Sequence, residues 1–124
     1  MEQITRDEYE KALRDIASMI SRTDKVKEKL KEGSPQASLT RNRRRALVIA
    51  SALITKELGG AIEEAFEKED LEKALPPILS TIGKCEKVRV KLKEGTPQLT
   101  LTRNMLKALY LSEALLRREL ATLG

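Results

Sequence analysis

Apolar residues in the first quarter of the chain recur at intervals that suit one face of an α-helix. With one slip near Thr23, they stand at Tyr9, Leu13, Ile16, Ile20, Val26 and Leu30. Such spacing predicts an amphipathic helix whose apolar side faces a core. No segment alternates apolar and polar residues as a half-buried strand would. The pattern therefore predicts helices and disfavours β structure.

Start and stop signals divide this region into two helices. Residues 5–8 (TRDE) have the sequence of a capping box, in which the first and fourth side chains bond each other's backbone amides. Gly33 suits the left-handed position after a helix, and Ser34 and Pro35 suit the N-cap and first position of the next. The second helix is predicted to continue to about Leu58, where two glycines follow. These signals predict a helical hairpin.

The hairpin occurs twice along the chain. The segment KVKEKLKEGSPQASLTRN (25–42) reappears 62 residues later as KVRVKLKEGTPQLTLTRN (87–104). Without gaps, residues 5–58 align with residues 67–120, and about 26 of the 54 aligned positions are identical. The sequence therefore predicts one all-α domain over residues 1–124. In it, two tandem hairpins form an antiparallel, up-down-up-down four-helix bundle.

The third helix is the least regular of the four. Pro76 and Pro77 replace Arg14 and Asp15 of the first repeat, and a proline inside a helix removes a hydrogen bond and crowds the preceding turn. We expect a kink or a fresh helix start there. We also expect a short connecting helix near 61–68.

The composition fits a helical core with a charged surface. Of the 124 residues, 40% are hydrophobic, 35% are charged and 2% are aromatic. The core must therefore be built from Leu, Ile, Val and Ala, which pack well between helices. A chain of this length can bury a core without covalent staples.

Several features bear on the compartment. The single Cys85 cannot form an internal disulfide, which suits a reducing environment. The first residues are charged and lack the apolar stretch of a signal peptide. The most apolar run, residues 46–54, is less than half of what crosses a bilayer. We predict a cytoplasmic protein with no membrane partner.

Positive charge is concentrated around the two predicted hairpin turns. Residues 22–45 hold nine Lys and Arg against three acidic residues, a net +6, and residues 84–107 hold seven against two, a net +5. The whole chain carries +5, so the remainder carries −6. An up-down-up-down bundle brings both turns to one end, which predicts a basic end and an acidic opposite end.

The basic segments admit two interpretations. One is a solvated face, in which lysines near the C-terminal ends of helices complement the helix dipole. The other is a contact surface for nucleic acid or another anion, since clustered cations attract phosphates. Its candidate residues are Arg41, Arg43, Arg44, Arg45, Arg103 and Lys107. Against it stand the scarcity of aromatic residues for base stacking and the absence of helix-turn-helix, zinc or glycine-loop spacing.

One polar pair interrupts the apolar stripes of the second and fourth helices. The tetrapeptide Leu-Thr-Arg-Asn occurs once in each repeat and ends at Asn42 and Asn104, on positions where spacing alone predicts apolar residues. A buried amide without partners costs about 1–3 kcal/mol. In one interpretation, the pair fixes register by bonding a loop carbonyl or its counterpart. Alternatively, it forms a polar ligand site beside Arg41 and Arg103, or the helical phase differs from the one assumed.

The usual chemistry of enzymes is sparse. The chain has no histidine, so it lacks the commonest metal ligand and any thiol–imidazole dyad. Its carboxylates alternate with lysines in a way typical of helix surfaces, and no phosphate-binding glycine loop or nucleophile elbow occurs. Cys85 aligns with Thr23 and is predicted to be a small buried hydrophobe. The sequence predicts no cofactor and no metal, and it favours a non-catalytic role.

The second and fourth helices suggest self-association. Residues 46–54 are apolar nearly all round, and the equivalent residues 108–116 include only two polar side chains. A helix that is apolar on every side needs cover on every side. We predict a homodimer through these two helices, with Val48 and Tyr110 in the contact.

Two functional hypotheses result. The first is a non-catalytic interaction or scaffold protein that self-associates as a helical bundle. The alternative is an accessory protein that binds nucleic acid or another polyanion through the basic end.

Overall fold

The computed structural model of the chain describes residues 3–61 and 65–123. These residues form four α-helices: α1 (Arg6–Glu28), α2 (Pro35–Glu57), α3 (Lys68–Arg89) and α4 (Pro97–Leu123). No strand occurs within the two described ranges. The all-α prediction is therefore confirmed, and the helices pack together as a bundle.

Local hydrogen bonds define where α1 and α3 begin. Thr5 Oγ1 accepts a bond from the Glu8 amide, and the Thr5 amide donates to Glu8 Oε1, both at 3.2 Å. This is the predicted capping box. At the start of α3 the Glu67 amide donates to Asp70 Oδ2 at 3.0 Å. Each bond satisfies an amide that has no partner inside its helix.

The α1–α2 and α3–α4 loops share one arrangement. Gly33 and Gly95 have φ angles of +86° and +82°, a left-handed conformation that side chains with a Cβ rarely adopt. The next residue, Ser34 or Thr96, accepts a hydrogen bond from the amide three residues later, at 3.2 and 3.3 Å. Each loop therefore ends one helix and caps the next within a few residues.

The two prolines lie inside a continuous helix. α3 runs without interruption through Pro76 and Pro77, so the predicted fresh helix start is wrong. The prolines deprive the carbonyls of Glu72 and Lys73 of their helical donors, but both of those residues are exposed and water can bond them. Ile78, 1% exposed, anchors the helix in the core immediately afterwards.

The predicted connecting helix near 61–68 has no support in the described residues. Ala61 and residues 65–67 are not helical, and Lys68 is the first residue of α3. Residues 62–64 lie outside the described residues.

The middle of the bundle is formed by α2 and α4. Each packs against the other, and both also pack against α1 and α3, whereas no contact between α1 and α3 occurs within the described ranges. The eight buried residues of α2 are Ala37, Thr40, Ala46, Leu47, Ile49, Ala50, Leu53 and Ile54. The residues 62 positions later are all buried in α4, together with Leu106. Both helices therefore bury the same positions of the repeat.

This arrangement explains why α2 and α4 are so apolar. Three neighbouring helices cover each of them, so most of the apolar surface that suggested a dimer is covered within the chain. Val48 is half-buried, and Tyr110 is 45% exposed with its hydroxyl donating to Glu86 Oε2 at 2.7 Å. Neither helix, nor any other in the described ranges, is long and apolar enough to cross a membrane.

Candidate anion-binding surface

The structure separates the six candidate cations by their partners. Three of them face a carboxylate: Arg44 with Asp24 (2.6 Å), Arg103 with Glu94 (2.5 Å) and Lys107 with Glu8 (3.2 Å). All three pairs are partly or largely exposed, so each contributes little to stability. Their positive charge is already offset locally, which weakens their individual attraction for an external anion.

The other three candidates stand at every second position of α2, and their surroundings differ. Arg41 is exposed and donates from Nη2 to Ser38 Oγ at 3.3 Å. The guanidinium of Arg45 lies 5.7 Å from the ring centre of Phe66, within cation–π range. Arg43 is half-buried, and no carboxylate of the described residues lies within ion-pair distance of it. These residues therefore do not act as one cluster.

Arg43 lies in a groove that all four helices line, which we call the axial groove. The groove has a volume of about 190 Å³ and is lined by Met19, Arg22, Thr23, Val26, Thr40, Arg43, Leu47, Thr81 and Met105. Its charged lining residues are Arg22 from α1 and Arg43 from α2. Since both are cations, the groove has a positive lining on a largely apolar wall.

The threonines of the axial groove have their hydroxyl protons engaged inside their own helices. Thr23, Thr40 and Thr81 each donate to the carbonyl four residues earlier, at 2.8, 2.7 and 2.8 Å. They are therefore not available to donate to a ligand without breaking those bonds. Donors for a bound anion must come from Arg22 and Arg43.

The thiol of Cys85 lies one turn beyond Thr81 on α3 and is buried, as predicted. Burial raises its pKa, while the positive charges of Arg22 and Arg43 oppose that rise. Two arginines from two different helices therefore act on one thiol of a third. Cys85 can report on the charge state of the groove.

Two clefts on the sides of the bundle are built from equivalent residues of the two repeats. The α1–α4 cleft, about 470 Å³, includes Glu8, Lys11, Ala12, Asp15, Asn104, Lys107 and Ala108. The α2–α3 cleft, about 850 Å³, includes the residues 62 positions away: Asp70, Lys73, Ala74, Pro77, Asn42, Arg45 and Ala46. The offset found in the sequence therefore recurs in the lining of two separate clefts.

The asparagine pair is divided between these clefts. Asn104 is half-buried, and its Oδ1 accepts a hydrogen bond from Lys11 Nζ at 2.8 Å. Asn42 is exposed in the α2–α3 cleft. The two amides therefore line different clefts. Both sit at the edge of the apolar stripe, because the first turns of α2 and α4 bury Thr40 and Thr102 instead.

Sequence reasoning missed two cations. Arg22 lines the axial groove, and Lys84 lines the α2–α3 cleft together with Arg43. A signal existed, because residues 22 and 84 are equivalent in the repeat and both are basic. They lie in α1 and α3, whereas the candidate cations predicted from sequence all lie in α2 and α4.

Neither metal chemistry nor likeness to other proteins adds to this site. The described ranges contain no group of three or more His, Cys, Asp or Glu residues that could hold a metal ion. Comparison with protein-family models, with curated proteins and with solved structures finds no match to the chain.

Proposed function

We propose that the protein is a non-catalytic helical module that binds the phosphate backbone of nucleic acid through its basic region, residues 22–45 and 84–107. The observation that carries this proposal is the distribution of unpaired positive charge. Sixteen Lys and Arg lie in the basic region, and eleven of them have no carboxylate of the described residues within ion-pair distance. These are Arg22, Lys25, Lys27, Lys29, Lys31, Arg41, Arg43, Lys84, Lys87, Lys91 and Lys93. Clustered cations of this kind attract phosphates at long range.

The proposal includes an antiparallel, up-down-up-down arrangement of two tandem hairpins. Two contacts between α1 and α2 support it. Arg6 Nη1 donates to the Leu58 carbonyl at 3.4 Å, joining the start of α1 to the end of α2. Arg44, in the first half of α2, pairs with Asp24, near the end of α1. In this arrangement the two glycine loops share one end of the bundle, and that end is basic.

An internal duplication is the simplest origin of this arrangement, and an exchanged pair of ion pairs supports it. Lys56 pairs with Glu119 at 3.1 Å, and Glu57 pairs with Arg118. Residues 56 and 118 are equivalent in the repeat, as are 57 and 119. The same contact is therefore made twice with the partners reversed, as across a two-fold axis.

The proposed contact is made to phosphates and not to bases. The basic region contains no aromatic side chain on which a base could stack. Its lysines and arginines can contact the phosphates of any sequence through charge alone. We therefore expect binding of duplex nucleic acid with little sequence preference and a strong dependence on salt.

Binding of a fluorescent 20-base-pair duplex, followed by anisotropy at 50 and 200 mM salt, tests the proposal. The double variant Lys31→Glu/Lys93→Glu reverses two exposed charges of the basic region. Its matched control, Arg14→Glu/Lys68→Glu, reverses two exposed charges elsewhere and gives the same net charge. We expect the first variant to bind at least about tenfold more weakly at 50 mM salt and to lower the log–log salt slope by about 2, since each phosphate contact contributes about 0.9.

Three outcomes overturn the proposal. One is the absence of duplex binding by the wild-type chain at 50 mM salt. Another is equal weakening by the two double variants, since net charge alone would then explain the binding. The third is binding to anionic phospholipid vesicles without binding to the duplex. Circular dichroism at 222 nm establishes that each variant keeps its helices.

A self-associating scaffold is the second candidate, and one observation favours it. Exposed aliphatic side chains occupy equivalent positions of the two repeats: Val26 and Val88 are 51% and 48% exposed, and Leu39 and Leu101 are 64% and 48% exposed. The sequence predicted a homodimer through α2 and α4. These helices have less apolar surface left to bury in a dimer, because the bundle covers most of it. Light scattering after size exclusion tests this candidate. A monomer of 13.9 kDa at 200 μM would refute it.

A further inference from the structure

Arg43 stands apart from the two arginines that follow it. Arg44 is bonded to Asp24 on α1, and Arg45 lies over Phe66. Successive residues of a helix point about 100° apart, so three neighbours in sequence reach three different surroundings. Arg43 alone of the three lines the axial groove, and it also lines the α2–α3 cleft.

Cations from two other helices flank Arg43. Arg22 of α1 shares the axial groove with it, and Lys84 of α3 shares the α2–α3 cleft. None of the three has a carboxylate of the described residues within ion-pair distance. We call these three cations, drawn from three helices, the positive cluster. Asp70 and Glu72 also line the α2–α3 cleft, but neither lies within ion-pair distance of the three.

The carboxylates nearest in sequence to these cations already have partners. Asp24 accepts from Arg44 at 2.6 Å. Glu86 accepts from Arg89 at 2.6 Å and from the Tyr110 hydroxyl at 2.7 Å. Bonds to Tyr110 and Arg89 lower the pKa of Glu86, so it stays charged and engaged. Neutralising the cluster with either carboxylate would break an existing contact.

The cluster also departs from the symmetry of the repeat. Residues 22 and 84 are both basic, but the residue equivalent to Arg43 is Met105, which lines the same axial groove. The cations of the groove therefore come from α1 and α2, whereas α4 supplies an apolar side chain. Arg43 is half-buried among apolar lining residues, which limits water around its guanidinium and strengthens its attraction for an anion, while Arg22 is exposed at the groove.

We propose that the axial groove binds one phosphate-type oxyanion between the guanidiniums of Arg22 and Arg43, with Lys84 adding positive charge from the neighbouring cleft. A guanidinium offers paired N–H donors that match two oxygens of a phosphate. This inference rests on the proposed function and deepens it. The axial groove binds one backbone phosphate directly, and the lysines near the loops attract nucleic acid at long range.

The first test compares two single variants in duplex binding at 50 mM salt. Arg43→Met installs the residue that the second repeat carries at this position, so the helix should tolerate it. Arg41→Gln removes the same charge two residues away, at an exposed arginine outside the groove. We expect at least tenfold weaker binding for Arg43→Met and no more than about threefold for Arg41→Gln. Equal losses would overturn the inference while leaving the proposed function intact.

The second test uses inorganic phosphate and the wild-type chain, and does not require nucleic acid. A thiol reagent reacts with the thiolate of Cys85, whose pKa burial raises and the charges of Arg22 and Arg43 lower in part. Bound phosphate would offset both charges and slow the reaction, by about threefold or more at 20 mM phosphate against chloride of equal ionic strength. No slowing would overturn the inference. Slowing by phosphate in a chain that binds no duplex would support the groove and refute the proposed function.

A third readout separates the groove from general charge screening. In a titration with phosphate, the Nε–Hε resonances of Arg22 and Arg43 should shift together with one affinity. Those of Arg41 and Arg103 serve as references and should move less. Uniform shifts of all four would overturn the inference, because phosphate would then be acting as a diffuse counterion.

Discussion

Residues 43–45 of α2 are three arginines, whereas the equivalent residues 105–107 of α4 are Met, Leu and Lys. In the first helix pair, α1 and α2, the middle arginine bonds Asp24 at 2.6 Å across to α1. In the second pair, α3 and α4, Leu106 takes that position and is 5% exposed. The equivalent carboxylate, Glu86, bonds Tyr110 instead.

Around this difference, the interiors of the two helix pairs agree. Every position that α2 buries is buried in α4, and α1 and α3 both bury the equivalents Ala12 and Ala74, and Ile16 and Ile78. Packing limits which side chains fit at positions that both helix pairs bury. Residues 43–45 of α2 are exposed or half-buried and can therefore be charged, and the positive cluster around Arg43 lies there.

Truncating the equivalent core isoleucines should produce the largest effects. Ile16 is 0% and Ile78 is 1% exposed, and both belong to one hydrophobic cluster. Ile16→Ala and Ile78→Ala should each lower the free energy of unfolding by about 2–5 kcal/mol, through lost burial and the cavity left behind. Urea denaturation followed by circular dichroism measures both.

A variant at an exposed position of α3 serves as the control for this prediction. Leu79→Ala, at a side chain 40% exposed, should lose less than about 1 kcal/mol. If Ile16→Ala produced two separate transitions, the helix pairs would unfold independently, and the single shared core would be refuted.

Exchanging the unlike pair at positions 44 and 106 should give unequal effects. Leu106→Arg introduces a charge at a buried position and should lower the free energy of unfolding by about 2–4 kcal/mol. Arg44→Leu removes a partly exposed ion pair and should change it by less than about 1 kcal/mol. Thermal and urea unfolding of both variants check the asymmetry. Losses of similar size in the two variants would mean that positions 44 and 106 have equivalent surroundings.

The glycine loops should respond alike. Gly33→Ala and Gly95→Ala force a Cβ into a left-handed conformation and should each cost about 1 kcal/mol, since no atom lies within 4 Å of the added Cβ to add a clash. Gly83, inside α3 with equal open space, is the control. Gly83→Ala should stabilise by up to about 1 kcal/mol. Destabilisation by Gly83→Ala would contradict the assignment of that residue to a regular helix.

The smallest effect concerns the capping box of α1. The Thr5 amide, followed by Lys107, lowers the pKa of Glu8 below its ordinary value of 4.5. Because the folded-state pKa is depressed, the stabilisation is present above the unfolded pKa and disappears as pH falls through the folded one. A carbon-detected titration of the Glu8 carboxyl should therefore have its midpoint below 4.5. Lys107→Met should raise that midpoint, and an unchanged value would exclude the ion pair between Lys107 and Glu8 in solution.

Features that depend on a few neighbouring residues were predictable. The capping box at Thr5 and the loops at Gly33 and Gly95 follow from residues within three positions of each other. The helical content follows from spacing along one chain segment. The burial of Cys85 also followed from its position in the second repeat, which is equivalent to that of Thr23 in the first.

Features that depend on which helices meet were predicted less well. Asn42 was assigned to an apolar stripe but is exposed, because the first turn of α2 buries Ala37 and Thr40. Helix α3 continues through Pro76 and Pro77, since the core contact of Ile78 outweighs two lost backbone bonds at the surface. Neighbouring helices of the same chain cover most of the apolar run in α2, and the homodimer that this run suggested stays a prediction.

The amino-acid sequence by itself determined four capped helices, their repetition at 62 residues and the segments that hold positive charge, because these are properties of local spacing. Only the tertiary structure decided that α2 and α4 lie at the centre and that Arg43, not Arg44 or Arg45, lines the axial groove. The reason is geometric. A helix that is apolar on several sides can be rotated in many ways at similar cost, and the packing of its neighbours selects which side chain faces each groove.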